Sequence, residues 1–143
     1  MEKNRTFNFK NNPKIASYAA IAGKKEGEGP LSEYFDVIME DALFGESTWE
    51  KAERKMFKQA VEFAAGKLNM PLENIDALIG GDLLNQIITA AFAARDLEMC
   101  FLGQYGACST MTQALIMGAV LIDSGYFENT ACCASSHFAT AER

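Results

Sequence analysis

Cys108, within FLGQYGACSTMTQALIMGAVLIDSG at residues 101–125, follows Gly106 and Ala107 and precedes Ser109, Thr110 and a long apolar run. A thiol there is set for nucleophilic chemistry if that run is a helix. Unpaired backbone N–H groups and the macrodipole at a helix start favour the thiolate. With further positive groups, such a placement lowers a cysteine pKa from about 8.5 into the range of about 3.5–7.5. Gly106 and Ala107 leave room for a ligand, and Ser109 or Thr110 stands where a cap is expected. On spacing alone, the reading of Cys108 as a small buried hydrophobe is favoured.

His137 is the only histidine. It has two readings: a structural donor to a backbone carbonyl at a strand end, or a partner for a ligand carboxylate, histidine being the side chain that titrates nearest neutral pH. Ser135 and Ser136 beside it are candidate hydroxyl donors. Asp82 and Asn85 follow the glycine pair Gly80-Gly81, where a parallel strand delivers its carboxyl end and open α/β sheets bind ligands. The simpler role for Asp82 is to cap the helix that follows. Arg95 and Arg143 carry the planar fork that recognises carboxylates. Arg95 precedes Asp96, which points to a surface pair, and Glu142 opposes a dianion unless Arg143 pairs with it. Cys132 and Cys133 alternate faces if they lie on a strand, and core packing is expected for both and for Cys100. Trp49 is expected to pack at the start of its helix.

Composition narrows the field. At 143 residues and 49% hydrophobic content the chain suits one domain, 1–143, whose first thirty residues form an irregular segment. A net charge of -6 and a pI near 4.8 argue against a nucleic-acid partner. The lysine clusters at Lys24-Lys25 and Lys51 to Lys58 are interleaved with or followed by Glu and read as solvated faces. Cysteines at 100, 108, 132 and 133 lack metal-ligand spacing, so no metal is expected. The opening MEKNRTFNFKNNPK is polar, which predicts a chain that is not secreted and thiols that stay reduced. Apolar stretches break well short of the roughly 18 residues of a membrane span, leaving peripheral attachment open.

These groups must be placed by elements. An irregular strand over Ile15 to Ala22 and a loop at GKKEGEGP are expected first. Tyr34, Phe35, Ile38, Met39, Ala42 and Leu43 recur at helical spacing and predict an amphipathic helix over 31–43. Ser47-Thr48-Trp49-Glu50 matches a capping box opening a second helix, with an apolar stripe at Ala52, Met56, Ala60, Phe63, Ala64 and Leu68. Lys51, Glu53, Arg54, Lys55 and Lys58 fall mostly on its solvent side.

A βαβαβ series then follows. NIDALIGGD reads as a buried parallel strand, LLNQIITAAFAARDL as a crossover helix with Ile87, Ala91 and Ala94 inward, and MCFLGQY as the next strand. After Cys108 comes a helix with Met111, Ala114, Leu115, Gly118, Leu121 and Ile122 inward, ending at Ser124-Gly125, and TACCASSHF is the third strand. The class is α/β, with right-handed crossovers and helices covering the sheet. Three parallel strands leave exposed edges, which predicts a longer parent chain or a domain completed by a partner.

The stretches IDALIGGDLLNQ, FLGQYGACSTM, LIDSGYFENT and SSHFATAER resemble the stage V sporulation AD family of the thiolase-like superfamily, relatives of the type III β-ketoacyl synthases. The general superfamily pattern extends over roughly residues 50–143, and GGDLLNQ, YGACST and SSHFATAER carry the sporulation-specific signal. What the resemblance implies is the N-terminal half of an α-β-α-β-α layered fold. It also implies binding of dipicolinic acid (pyridine-2,6-dicarboxylate) at the spore inner membrane, for uptake into the developing spore with membrane-embedded products of the same operon. Cys108 matches the superfamily nucleophile, and residues 99–105 match the strand that pairs across the superfamily dimer, here a homodimer. The ligand set expected on these grounds is Cys108, Gly106, Ser109, Asp82, Asn85, Ser136 and His137, with no cofactor.

The alternative is an acyltransferase of the condensing type, with Cys108 acylated by a thioester. That chemistry needs a base and oxyanion donors, usually His with His or Asn. In the superfamily those groups come from the second half, and with one histidine this chain cannot assemble them. A non-enzymatic binding component is therefore expected, and a purely structural dimer module is the third reading.

Overall fold

A computed structural model describes residues 6, 8–83 and 87–137. The first part runs β1 (Ile21–Ala22), α1 (Lys24–Gly27), β2 (Val37–Ile38) and α2 (Trp49–Gly66). The second runs β3 (Ala77–Asp82), α3 (Ile88–Asp96), β4 (Phe101–Gly103), α4 (Thr110–Asp123) and β5 (Thr130–Ser135). Short 3-10 turns lie at Ser32–Tyr34, Leu72–Asn74 and Ala107–Ser109.

The expected βαβαβ series is present. Its strands form one parallel sheet in the order β4-β3-β5, with Leu78 opposite Phe101 and the register Ala77↔Thr130 to Asp82↔Ser135. All six residues of β3 are buried, as a central strand covered on both faces requires. Side chains alternate along it. Leu78 joins Phe57 and Val61 of α2 and Ala90, Ala93 and Ala94 of α3, while Ala77 and Ile79 meet Ala114 of α4. Burial of Phe57 or Leu78 contributes about 1.5–3 kcal/mol each. The glycines of β3 answer a different need. A Cβ on Gly80 would meet the Cys133 carbonyl at 1.8 Å, and one on Gly81 the Gln104 carbonyl at 2.0 Å.

Residues 31–43 do not form the expected helix. They hold the Ser32–Tyr34 turn and then β2, which pairs in parallel with β1. Asp36 accounts for the difference: its N–H donates to the Ala20 carbonyl at 2.8 Å and its carboxylate accepts the Ala20 N–H at 2.9 Å. Asp41 then accepts from the N–H groups of Leu43 and Phe44, closing a local turn that competes with helix. The GKKEG stretch, expected as loop, makes the single turn α1.

The second helix forms, with its cap and its inner face displaced. Thr48 Oγ1, not Ser47, accepts the Lys51 N–H at 3.3 Å, and Ser47 Oγ instead takes the Lys51 ammonium at 3.1 Å. The buried row is Ala52, Glu53, Phe57, Val61 and Ala65. Phe63 and Leu68, expected inside, are exposed. In α3 the inward residues are Thr89, Ala90, Ala93 and Ala94. Ala91 faces solvent, because Ile87 adopts a left-handed φ of 68° and the helix phase starts after it.

In α4 only Thr110, Ala114 and Gly118 are buried. Met111 and Leu115, expected inward, lie with Ile116, Met117 and Val120 among the exposed apolar side chains. Gly118 explains the tight side: a Cβ there would meet Thr130 Oγ1 at 2.8 Å and Cys132 Sγ at 2.9 Å. The sheet takes the narrow, small-residue face of the helix, and its broader apolar side is left outward.

Candidate functional site at the carboxyl edge of the sheet

Parallel strands end together, so three segments meet on one side of the sheet: Gln104–Ser109 after β4, Asp82–Leu83 at the end of β3, and Ser135–His137 at the end of β5. The Gln104 N–H donates to the Gly80 carbonyl at 2.8 Å and the Leu83 N–H to the Ser135 carbonyl at 2.9 Å, which ties the three exits to one another. Asn85 falls outside the described residues, as do Glu142 and Arg143.

Cys108 sits in the Ala107–Ser109 turn that leads into α4, and it is exposed. The reading as a small buried hydrophobe therefore fails, and the helix-start placement holds. The approach is sharply bent, with Ala107 at a left-handed φ of 49°. Gly106 is packed so closely that a Cβ would meet Ser109 Oγ at 2.4 Å. Neither expected hydroxyl caps α4. Ser109 Oγ donates to the Gly106 carbonyl at 2.7 Å, and Thr110 Oγ1 accepts the Gly106 N–H at 3.1 Å. Both hydroxyls brace the turn instead. The positive end of α4 is thus not covered by a side chain from Ser109.

Asp82 is fully buried and accepts the N–H groups of Ile87 and Ala90, each at 3.2 Å. It caps α3 from the end of β3, where Ile87 offers no capping side chain of its own. His137 is buried, and its Nε2 lies 2.5 Å from the Ala42 carbonyl. A carbonyl oxygen only accepts, so Nε2 carries the proton and donates. This is the first of its two readings, and the bond ties Ala42 to the sheet edge. Ser136 is exposed.

Sequence reasoning missed Glu53. Placed on the solvent side of its helix, it is fully buried, and its Oε1 accepts the Ser135 hydroxyl at 2.9 Å. The His137 backbone N–H also bonds to the carboxyl, and Asp82 stands close enough to act on it. Burial, offset in part by the Ser135 bond and reinforced by Asp82, pushes the Glu53 carboxyl above the ordinary glutamate range. The signal lay in the spacing of Glu53, Phe57, Val61 and Ala65, four residues apart, which puts the acid in line with three apolar side chains.

The other thiols divide by burial. Cys133 is buried, and desolvation pushes its thiol up to about 12. Cys132 is partly buried, its thiol is raised by the same cause, and its Sγ–H donates to the Ala114 carbonyl at 3.3 Å. Cys100, expected in the core, is exposed, because it precedes β4 rather than lying within it. All four are free thiols. Arg95 pairs with Asp96 at 3.6 Å, as its sequence neighbour implied, and stacks over Phe92. A groove of about 320 Å³ between the starts of α2 and α3 is lined by Glu50, Lys51, Arg54, Ile88, Thr89 and Phe92. Its guanidinium, from Arg54, is bonded to Asp96. Among the described residues no group of three His, Cys, Asp or Glu side chains is placed to hold a metal. No helix among them is long and apolar enough to cross a membrane.

The sequence profile of the stage V sporulation protein AD family matches residues 3–143. The stage V sporulation protein AD of Bacillus subtilis (strain 168) is 40% identical over 129 residues, which is 90% of this chain and 38% of that relative. The chain therefore spans well under half the length of the relative.

Proposed function

Because the chain belongs to the stage V sporulation protein AD family, with a role in sporulation, we propose that its sheet edge binds dipicolinic acid as a non-enzymatic step in loading the developing spore. The observation that carries this reading is the exposed, braced turn Gly106–Ser109 at the start of α4. A helix start without a capping side chain favours a carboxylate, the exposed Ser136 supplies a hydroxyl on the same edge, and Ser109 holds the turn in shape through its bond to the Gly106 carbonyl. Cys108 lines the pocket in this reading. Asp82 and His137 shape it from behind, since Asp82 is engaged by α3 and His137 Nε2 by Ala42.

The acyltransferase reading has one observation in its favour, the exposure of Cys108. Against it stands the single histidine, whose Nε2 is bonded to a backbone carbonyl 2.5 Å away. The proposal extends to peripheral attachment at the cytoplasmic face of the spore inner membrane, partnership with membrane-embedded proteins of the same operon, and a homodimer through 99–105. That stretch contains β4, an edge strand.

Calorimetric titration of dipicolinic acid into this chain and into the Bacillus subtilis relative tests the central claim. Saturable binding by this chain, weakened in Ser109→Ala and partly retained in Cys108→Ala, is the expected result. Absence of binding by both proteins overturns the reading and directs attention to acyl-thioester labelling of Cys108.

A further inference from the structure

The link from β2 to α2 is held in an unusual shape. Met39 is buried, and its N–H donates to the Ala22 carbonyl at 2.8 Å. Asp41 then accepts the N–H groups of Leu43 and Phe44 at 2.7 and 2.9 Å, and the Glu46 N–H closes on the Leu43 carbonyl at 2.8 Å. Within this turn Phe44 has a left-handed φ of 52°, followed by Gly45 at 75°. Glycine takes that region freely. A bulky aromatic residue persists there only when its surroundings fix it.

Lys55 of α2 supplies the fixing contacts. Its ammonium donates to the Phe44 carbonyl at 2.8 Å and stands 4.6 Å from the centre of the Phe44 ring, with Glu46 as a looser partner at 3.9 Å. On the other side of the turn, the Ala42 carbonyl accepts from Nε2 of His137 at 2.5 Å. The backbone of His137 is held separately, through the bond of its N–H to the Glu53 carboxyl. The turn therefore governs the imidazole ring and not the strand end. We propose that Lys55 is a positioning residue for the sheet edge: it keeps Phe44 left-handed, which keeps the Ala42 carbonyl on His137 and fixes the imidazole beside the ligand site. Without the ammonium, Phe44 relaxes to negative φ, the turn shifts and the ring loses its acceptor. The consequence for ligand affinity rests on the dipicolinate reading, whereas the relay from Lys55 to His137 does not.

His137 is the only imidazole, so its side-chain NMR signals report the relay without ambiguity. In Lys55→Met, which keeps the stem and removes the cation, exchange of the Nε2 proton with water should quicken about tenfold while the His137 amide changes less than about twofold. Lys55→Arg restores a cation with donors and should recover most of the protection. Unchanged ring exchange in Lys55→Met overturns the proposal. Equal quickening of ring and amide overturns it too, since the whole strand end would then have loosened. The unmodified protein gives a reading that needs no variant: protection of the Nε2 proton and of the Leu43 and Phe44 amides should agree within about threefold, because one opening of the turn releases all three. Disagreement in either direction separates ring from turn and overturns the relay. Calorimetric titration of dipicolinic acid gives the ligand arm, in which Lys55→Met should bind at least about threefold more weakly than wild type. Equal affinity overturns the ligand consequence, while a wild type that binds none overturns the dipicolinate reading and leaves the relay decided by the exchange data.

Discussion

A thiol's chemistry follows from its surroundings, and the four here span the range. Cys108 and Cys100 face water, while Cys133 is buried with its thiol at about 12. Alkylation of the native protein followed by peptide mass mapping should mark Cys100 and Cys108 first, and Cys133 only after unfolding. Early labelling of Cys133 would mean that the α2–β5 contact opens readily. Asp82 bears the second prediction at this scale. Replacing it with Ala removes the acceptor for two amides at the start of α3 and should cost at least about 1–2 kcal/mol in urea unfolding. A midpoint unchanged by that substitution would deny it the capping role.

Each element is held by contacts that periodicity does not report. The start of α2 shows this most directly, since Ser47 and Thr48 are equally plausible caps in sequence and only Thr48 accepts the Lys51 amide. Thr48→Ala should cost about 1 kcal/mol, whereas Ser47→Ala, which loses only an exposed hydroxyl–ammonium bond, should cost well under half that. Equal losses in urea unfolding would return the cap to Ser47. Strand β3 depends instead on the absence of side chains. Gly80→Ala forces a Cβ into the Cys133 carbonyl and should destabilise by about 1–3 kcal/mol or more, or prevent folding. Recovery of a fully stable variant would show that β3 and β5 can separate without cost.

At the scale of the molecule, α4 joins the site to a surface. Its small face packs on the sheet through Ala114 and Gly118, and its larger apolar residues Met111, Leu115, Ile116, Met117 and Val120 lie outward. Contiguous exposed apolar side chains of this kind are unusual on the surface of a monomeric domain. The isolated chain should bind a hydrophobic dye at this face, and Ile116→Lys should lower that binding while leaving the urea midpoint within about 0.5 kcal/mol. Dye binding untouched by the substitution would place the apolar patch elsewhere. Sedimentation velocity decides separately whether β4 pairs between copies, since a monomer at high concentration removes the dimer proposal.

Much of the frame was legible in the residues themselves. Short apolar runs closed by glycines, alternating with Ala- and Leu-rich stretches, specify the βαβαβ order because each element's period is a property of its own side chains. The same local logic put Cys108 at a helix start and favoured Asp82 as a cap, while it left His137 open between a donor to a backbone carbonyl and a ligand partner. Tertiary structure decided which face of each helix is inside, because that depends on what arrives against it from elsewhere in the chain. Glu53 looked solvated until β5 brought Ser135 and His137 to it, and residues 31–43 looked helical until Ala20 offered Asp36 a pairing partner. The outward side of α4 looked like core because its residues are apolar. Hydropathy measures the gain from burial, and only the fold determines whether burial occurs.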